Sequence, residues 1–506
     1  MKNLYNILTI FSIFTTFCHS QSGSFDTSFD GDGKAFYCFP IGQSYSPLDA
    51  TFQSTGKIIV YSNNYDSIGA SLLRWNTNGT LDTTFGVNGF VNFTQTGPFI
   101  NGGHYPYKMT VQPDNKIIIM GLQQNNTYSN AYWIARLLPD GTLDTSFNGT
   151  GYRDLSFGTA QDRGTCVSLQ ADGKILLGGT SGDTGEFFTV ARLNTNGTLD
   201  TGFGNNGKTQ IPFNGNESSV QTMEVQTDGK IVLGGYTVST TKDFALTRLN
   251  SNGTLDTSFG TNGKVITTLN SSYSDLITDL IIEPDGKIIA GGFTSSENTP
   301  WMCMVRYLSN GTIDTSFGTN GIVINNDDNS RSCTLVRQID GKIIMGGCYD
   351  GLFFLTIRYN NNGTKDSSFG TNGVVNLFPD TYGTATKALI QSDNKIVVCG
   401  STYSPDFSQV CFTIIRLNPG TLEVNDFDKA NMQVYPNPTS DIVSFDNNEK
   451  QYEKVSVYNY LGQEILQPFY CNPGITTIDL SGFSKGVFLL KFEGNGRKDF
   501  AKVIKE

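Results

Sequence analysis

Histidine, the side chain most often used to move protons near neutral pH, occurs only twice in 506 residues, as His19 and His104. His19 falls in an apolar leader, so a Ser-His-Asp or Cys-His arrangement can be built only around His104. A zinc site made of several histidines is ruled out. His104 stands in NGGHYPY, a loop-like context that suits a surface histidine. Carboxylate pairs remain as a route to glycoside cleavage. Asp172, Asp228, Asp285 and Asp340, however, each precede a glycine at a turn, where the work of an aspartate is conformational. Asp30, Asp32, Asp327 and Asp328 sit in acidic loops with the oxygen chemistry of calcium, yet no EF-hand spacing surrounds them. There is no phosphate-cradling GxGxxG or P-loop. No cofactor is expected, calcium being the one ion these loops leave open.

One ionic pairing does recur. Arg74 and Asp82 stand eight residues apart, and the same interval separates Arg136 from Asp144, Arg192 from Asp200, Arg248 from Asp256, Arg306 from Asp314 and Arg358 from Asp366. The stretch RLNSNGTLDTSFGTNGK at 248–264 shows the setting. An Asn-Gly turn folds the chain back and brings arginine and aspartate face to face across a hairpin. A bidentate ion pair there would tie one unit to the next, with the phenylalanine three residues after the aspartate filling the gap. The functional alternative is a ring of arginines that recognises anions. A residue demanded identically by every unit favours the scaffold reading.

The elements that must hold these pairs come from a repeat. FDxxF-type segments begin at Asp26, Asp82, Asp144, Asp200, Asp256, Asp314 and Asp366; DGKI-type segments carry Lys57, Lys116, Lys174, Lys230, Lys287, Lys342 and Lys395; apolar runs end at Arg74, Arg136, Arg192, Arg248, Arg306, Arg358 and Arg416. Three markers in the same order give seven units of about 56 residues. From Gly263 onward one unit reads GKVITTL, DLITDLIIEP, KIIAGGF and WMCMVRYL. These are four short antiparallel strands, with Asp285-Gly286 and Asn310-Gly311 marking type I′ hairpin turns. The grammar is that of an all-β, seven-bladed propeller of four-stranded blades. The last unit lacks its own FDxxF segment, so residues 24–30 are expected to pack beside blade seven and close the ring.

Residues 24–417 resemble the delta-60 repeat family, whose units carry LxxDGxxDxxFGxxG and QxDGKIxxGG. Unit one departs from the pattern with STGKIIVYS and DGDGK, and unit seven lacks its tail, as end units commonly do. The resemblance implies a propeller-like fold and no particular activity. SFDGDGKAF at 28–36 misses the S-x-D-x-G-x-T-W box of sialidase propellers, its glycine falling one place late.

The two ends speak of export. Lys2, the apolar run Leu4–Phe17 and a small residue at Ser20 make residues 1–20 a secretory signal peptide cleaved between Ser20 and Gln21. Phe17 is a poor fit for lipidation at Cys18, where a small residue is expected. No later run is long enough for a spanning helix, so no transmembrane segment is expected in the mature chain. Eight of the nine cysteines follow the leader. They read as buried small hydrophobes more readily than as a framework, and Cys399 with Cys411 is the one pair to test. After the repeats (21–417) and a polar linker (418–431), residues 432–506 alternate as strands of a small antiparallel β-sandwich. The tail Gln433 to Glu506 looks like the C-terminal sorting domain of the type IX secretion system, through Tyr435, Pro436, Asn437 and Pro438, then Gly462 in VYNYLGQEI and Gly486 in IDLSGFSKGVFLLKF. That resemblance implies the type IX machinery as a partner, export by a Bacteroidetes-type bacterium, removal of the tail, and a cargo attached to the cell surface or released.

A net charge of −11 with dispersed cations excludes nucleic acid and anionic lipid as partners. The sequence therefore points to an exported propeller that binds glycan or protein through loops that differ between units, such as 97–107 and 294–301. The alternative is a polysaccharide hydrolase or lyase with carboxylates converging on the propeller axis.

Overall fold

The computed structural model describes residues 22–420 and 434–506, apart from 40–44, 65–68, 93–102, 125–129, 159–160, 184–186, 214–216, 297–298, 327–329, 350–352, 378–381, 405, 448–451, 460–463 and 495–496. The leader with Ser20 and Gln21, most of the linker, Gly462, Asp327, Asp328 and residues 97–102 lie outside the described residues. The chain forms two units, ending and beginning at Gly420 and Thr421.

In the first unit every described regular element is a strand, and the strands form seven four-stranded antiparallel sheets. The innermost strands are Tyr45–Phe52, Gly103–Val111, Arg163–Leu169, Ser218–Val225, Ser274–Ile282, Ser330–Arg337 and Gly383–Ile390. Each touches the one before and after it, and the last touches the first, so they ring the axis. The middle strands carry near-continuous apolar runs because they are covered on both faces. ILLGGTS at 175–181 is buried at every position, and FFTVARL at 187–193 at all but the first. The outermost strands are short and half-exposed, as in KTQIP at 208–212. Apolar side chains of adjacent sheets merge into cores between blades, such as Val232, Leu246, Phe259, Leu280 and Val305.

The blade frame is offset from the repeat frame. Lys264–Thr267, the GKVITTL strand, pairs with Lys242–Leu249 and completes the preceding blade instead of opening its own. That offset leaves blade seven one strand short. Lys34–Cys38 supplies it, pairing antiparallel with Val410–Leu417 from Lys34↔Ile415 to Cys38↔Cys411. Residues 22–30 run alongside, with Gly23 N–H on the Asn418 carbonyl and Asp26 N–H on that of Arg416, at 2.9 and 2.8 Å. Cys38 and Cys411 are disulfide-bonded, while Cys399 is a buried free thiol. The one pair the sequence singles out for testing, Cys399–Cys411, is not formed, because register places Ile414 opposite Cys399.

Two local devices explain the repeated motifs. Each innermost strand shifts register once, as between Val220 and Thr222 or Ile277 and Asp279. The shift pushes a carbonyl toward the next strand, and a Cβ at Gly235 would collide with the Ser219 oxygen, which is why the second glycine of the GG pair recurs. The hairpins are not the type I′ turns expected. Gly286 has φ 84° whereas Asp285 does not take a positive φ, and Gly286 N–H bonds the Glu283 carbonyl at 2.9 Å. This is a type I turn closed by a left-handed glycine, and Asn310-Gly311 follows it. The aspartate instead accepts from the backbone two residues on, as Asp285 does from Lys287 at 3.1 Å.

The second unit is an antiparallel β structure of two sheets. One joins Val434–Tyr435, Ile442–Asp446 and Ile475–Asp479; the other joins Glu464–Tyr470, Lys454–Asn459, Gly486–Gly494 and Arg497–Lys505. Phe445, Tyr452, Val455, Leu490 and Phe492 pack in its core. Asn437 ties the start of the tail to its last strand, donating to the Lys502 carbonyl at 2.6 Å and accepting from Ile504 N–H at 2.9 Å. Tyr435 is exposed beside it, with Pro436 and Pro438 flanking Asn437, and Gly486 opens the strand Gly486–Gly494.

Candidate functional site

Antiparallel blades put the turn between strands one and two, and the Arg-to-Phe segment between strands three and four, on one face of the propeller. That face carries the repeated side chains. Arginine Nε lies 2.6–2.9 Å from its aspartate in Arg74–Asp82, Arg136–Asp144, Arg192–Asp200, Arg248–Asp256, Arg306–Asp314 and Arg358–Asp366. A seventh pair, Arg416–Asp26 at 2.7 Å, joins the two ends of the ring. The pairing is not bidentate. Nη1 of each arginine leaves the aspartate for a carbonyl of the next blade, for example Arg74 to Pro139 at 2.6 Å and Arg416 to Thr77 at 2.7 Å. Each guanidinium also sits 4.5–4.7 Å from the ring centre of the phenylalanine three residues beyond the aspartate. The lysine of the DGKI segment reaches the same carboxylate, from Lys57–Asp82 at 2.7 Å to Lys230–Asp256 at 3.6 Å. Each of these seven arginines is at most 8 % exposed, so their guanidiniums are buried in contacts between neighbouring blades.

The axis holds a second set of charges. Asp49, Lys108, Asp279 and Lys387 each follow the register shift of their innermost strand, where other blades have Cys166, Thr222 or Thr334. Asp279 is held from four blades: it accepts from Leu280 and Leu335 N–H at 3.0 Å, Thr334 at 3.1 Å, Thr222 at 3.4 Å and Lys387 Nζ at 3.5 Å. Asp49 accepts from Met109 N–H of the next blade at 2.9 Å. Burial works to raise the Asp279 carboxyl, but the Lys387 and Lys108 charges and the two N–H donors hold it below the usual range. Burial works to neutralise Lys387, and Asp279, Asp49 and Glu224 overcome it, keeping the ammonium charged. Glu224, two residues along from Thr222, goes the other way. Burial and the Asp279 charge push its carboxyl up to about 7, against the pull of Lys387.

The consequence can be measured. An unfolded glutamate titrates near 4.3, so above that pH the unfolded chain releases a proton that folded Glu224 retains, and stability falls as pH rises through about 7. Glu224→Gln removes this penalty. Its thermal midpoint relative to the wild type is expected to climb between pH 5 and pH 8, and a pH-independent difference would show Glu224 to titrate normally.

Among the described residues no group of three or more His, Cys, Asp or Glu can hold a metal ion. Asp32 caps its own loop by accepting from Lys34 N–H at 2.9 Å, and the nearby Asp30 adopts φ 50°. His104 lies within the strand Gly103–Val111, not in a loop, and its side chain is outside the described part. Residues 294–301 are not the loop expected: 294–296 end the strand Ile288–Ser296 and 299–301 open Thr299–Tyr307, where Trp301 is half-buried and packs edge-on to Tyr273 at 5.7 Å.

Sequence reading did not find the axial charges. A signal was available: Asp49, Lys108, Asp279 and Lys387 each stand eight residues before the lysine of their DGKI segment, but only the strand pairing shows that this place faces the axis.

Two protein-family models match the chain. One, a domain of unknown function (DUF5122) described as a β-propeller, matches seven times, at 53–85, 112–147, 170–203, 226–259, 283–317, 338–369 and 391–420. The other, a secretion system C-terminal sorting domain, matches 433–506. No curated protein matches. Among solved structures, the chain is similar to a PL25 polysaccharide lyase described as an ulvan lyase, with TM-score 0.42 and 10 % identity over 76 % of this chain and 96 % of that one. It is similar to Sqt1 from Chaetomium thermophilum, with TM-score 0.42 and 10 % identity over 79 % and 100 %. It is also similar to the Bombyx mori GH32 β-fructofuranosidase BmSUC1, with TM-score 0.32 and 9 % identity over 94 % and 82 %. At these scores none of the three bears on the chemistry of this chain.

Proposed function

We propose, for a chain that belongs to the DUF5122 β-propeller repeat family and ends in a secretion-system C-terminal sorting domain, that the propeller is a binding module for glycan or protein outside the cell. The sorting tail directs secretion, with attachment to the surface or release. A signal peptide cleaved at Ser20–Gln21 fits the same route.

The observation that carries the binding reading is the difference between the two faces. One repeats a single joint seven times, down to the same donors and ring contacts. On the other, the connections between strands two and three run from two residues at 297–298 to six at 404–409, and the strand ends beside them differ in composition, as in TSSENTPW at 294–301. A rigid scaffold with one uniform and one varied face is the usual layout of a recognition protein. The test is retention of the exported chain by immobilised polysaccharides and surface proteins, with calcium and with chelator. Saturable retention, weakened when 97–107 or 294–301 is exchanged for another blade's loop, is the expected result. Absence of retention from every bait counts against it.

A second reading rests on Glu224. A carboxyl raised to about 7 beside the ionised Asp279 is the asymmetry that general acid–base chemistry uses. A secreted hydrolase or lyase working at the axis would cut polysaccharide during the same assay and lose that activity in Glu224→Gln.

A further inference from the structure

Ten described non-glycine residues have positive φ, and nine of them are asparagine or aspartate. The tenth is Phe407, at φ 59°. A bulky side chain in the left-handed region is an outlier that its surroundings must impose. Here they do. Asp406 accepts from Ser404 Oγ at 2.6 Å and from Ser408 N–H and Oγ at 3.1 and 2.7 Å. Gln409 N–H donates to Ser404 Oγ at 3.0 Å, and Phe407 N–H to the Ser404 carbonyl at 2.8 Å. A closed ring of hydrogen bonds therefore fixes a strained residue, and the ring it presents is 56 % exposed.

Phe407 does not stand alone. Its ring centre is 5.9 Å from that of Tyr382 and 6.2 Å from that of Tyr403, and Tyr382 lies 5.6 Å from Phe353. Tyr403 N–H donates to the Tyr382 carbonyl at 3.1 Å, so the two supports are coupled. Tyr382 and Tyr403 are 46 % and 47 % exposed. All four residues lie at the varied face: Tyr382 precedes Gly383–Ile390, Tyr403 ends Ile396–Tyr403, Phe407 lies in the connection to Val410–Leu417, and Phe353 begins Phe353–Tyr359. Folding gains little from aromatic surface left in water, so neither the exposure nor the strain is explained by stability.

We infer that Phe353, Tyr382, Tyr403 and Phe407 form a stacking platform for the sugar rings of a neutral polysaccharide. This rests on the binding reading above and names its site and ligand class. Aromatic rings offer flat, rigid, amphipathic area at low entropic cost, which suits the C–H faces of pyranoses. The rim chooses hydroxyl over charge. Residues 353–357, 382–386, 400–404 and 406–410 contain no lysine or arginine, so none of these side chains neutralises an acidic glycan. Asp406, held ionised to about pH 2 by its Ser404 and Ser408 hydrogen bonds, is an acceptor for sugar hydroxyls and repels uronate or sulfate. An apolar protein partner would leave that fully charged rim desolvated without a counter-ion.

Native affinity electrophoresis of the exported chain in gels containing hydroxyethyl cellulose, glycogen or galactomannan tests the platform. Two variants are compared: Phe407→Gly, which removes the ring while suiting the left-handed backbone, and Tyr382→Ser. The wild type is expected to be retarded by at least one of the three, and each variant to weaken that retardation at least tenfold with its thermal midpoint unchanged. Ile339→Ala, at an exposed side chain of the uniform face, is expected to behave as wild type. Retarded variants indistinguishable from wild type would overturn the platform and leave glycan binding standing. A wild type that ignores all three polysaccharides but binds protein baits overturns the platform alone, and one that binds nothing overturns both.

Discussion

An exported chain lacking residues 22–38 is expected not to reach a cooperatively folded propeller, and the Cys38→Ser chain to fold but melt about 5 °C lower than the oxidised wild type. The deletion removes the fourth strand of the closing blade and leaves Val410–Leu417 as an open edge. It also strips Asp26 from the buried Arg416 and the partly exposed Lys395, and takes Phe29 from beneath the Arg416 guanidinium. Gly370 loses its bond to the Ser22 carbonyl, which stands in for the next blade's turn. The disulfide is the milder case. It spans 373 residues, so opening it enlarges the unfolded ensemble by roughly 6 kcal/mol in the chain-entropy account, with part of that offset by the native strand pairing that remains. Exposed Cys38 makes the bond reachable by reductant. Calorimetry with and without reductant measures the second effect, and a midpoint indifferent to reductant would show that strand pairing alone closes the ring.

The same closure marks the boundary of what the sequence discloses. Arg248 and Asp256 could be paired from sequence because one local hairpin fixes their interval. Lys230 could not be joined to them. It lies 26 residues from Asp256 along the chain, and only the stacking of strands two, three and four in one sheet brings it to the carboxylate. The belonging of residues 24–30 to blade seven followed from counting incomplete units. The partner of Cys411 did not, because it depends on the register of a strand placed after the counted motif. The axial cluster was hidden for another reason. Asp49 and Asp279 stand at the same interval before Lys57 and Lys287, but their partners come from other blades. Phe407 lay beyond reach for the plainest reason: a left-handed phenylalanine is dictated by the loop's hydrogen bonds and by no propensity of its own.

Asp256→Ala is expected to destabilise the propeller by about 3–5 kcal/mol, whereas Lys230→Met costs under about 1 kcal/mol because its side chain is partly exposed and its contact with Asp256 is long, at 3.6 Å. The difference lies in what each substitution leaves behind. Without Asp256 the buried Arg248 keeps one carbonyl and one aromatic face but no counter-ion, while Ser258 loses the carboxylate its backbone and hydroxyl both donate to. Without Lys230 the stronger Arg248–Asp256 contact at 2.7 Å survives. The same joint sets the response to acid. Burial works to raise Asp256, yet the Ser258 and Arg248 hydrogen bonds and charge hold it at about 2, and Asp26, Asp314 and Asp366 sit at about 2 for like reasons. An unfolded aspartate titrates near 3.9. Because the folded values are depressed, each of these four joints contributes stability that is complete above that pH, on the order of 2 kcal/mol, and is lost as pH falls toward 2; Asp82, Asp144 and Asp200 are lowered in the same direction. Seven joints titrating together make the thermal midpoint fall steeply between pH 4 and pH 2. Asp256→Asn, already without the charge, is expected to start lower at pH 7 and to fall less steeply. Parallel curves for the two proteins would mean that acid unfolds the ring somewhere other than at its joints.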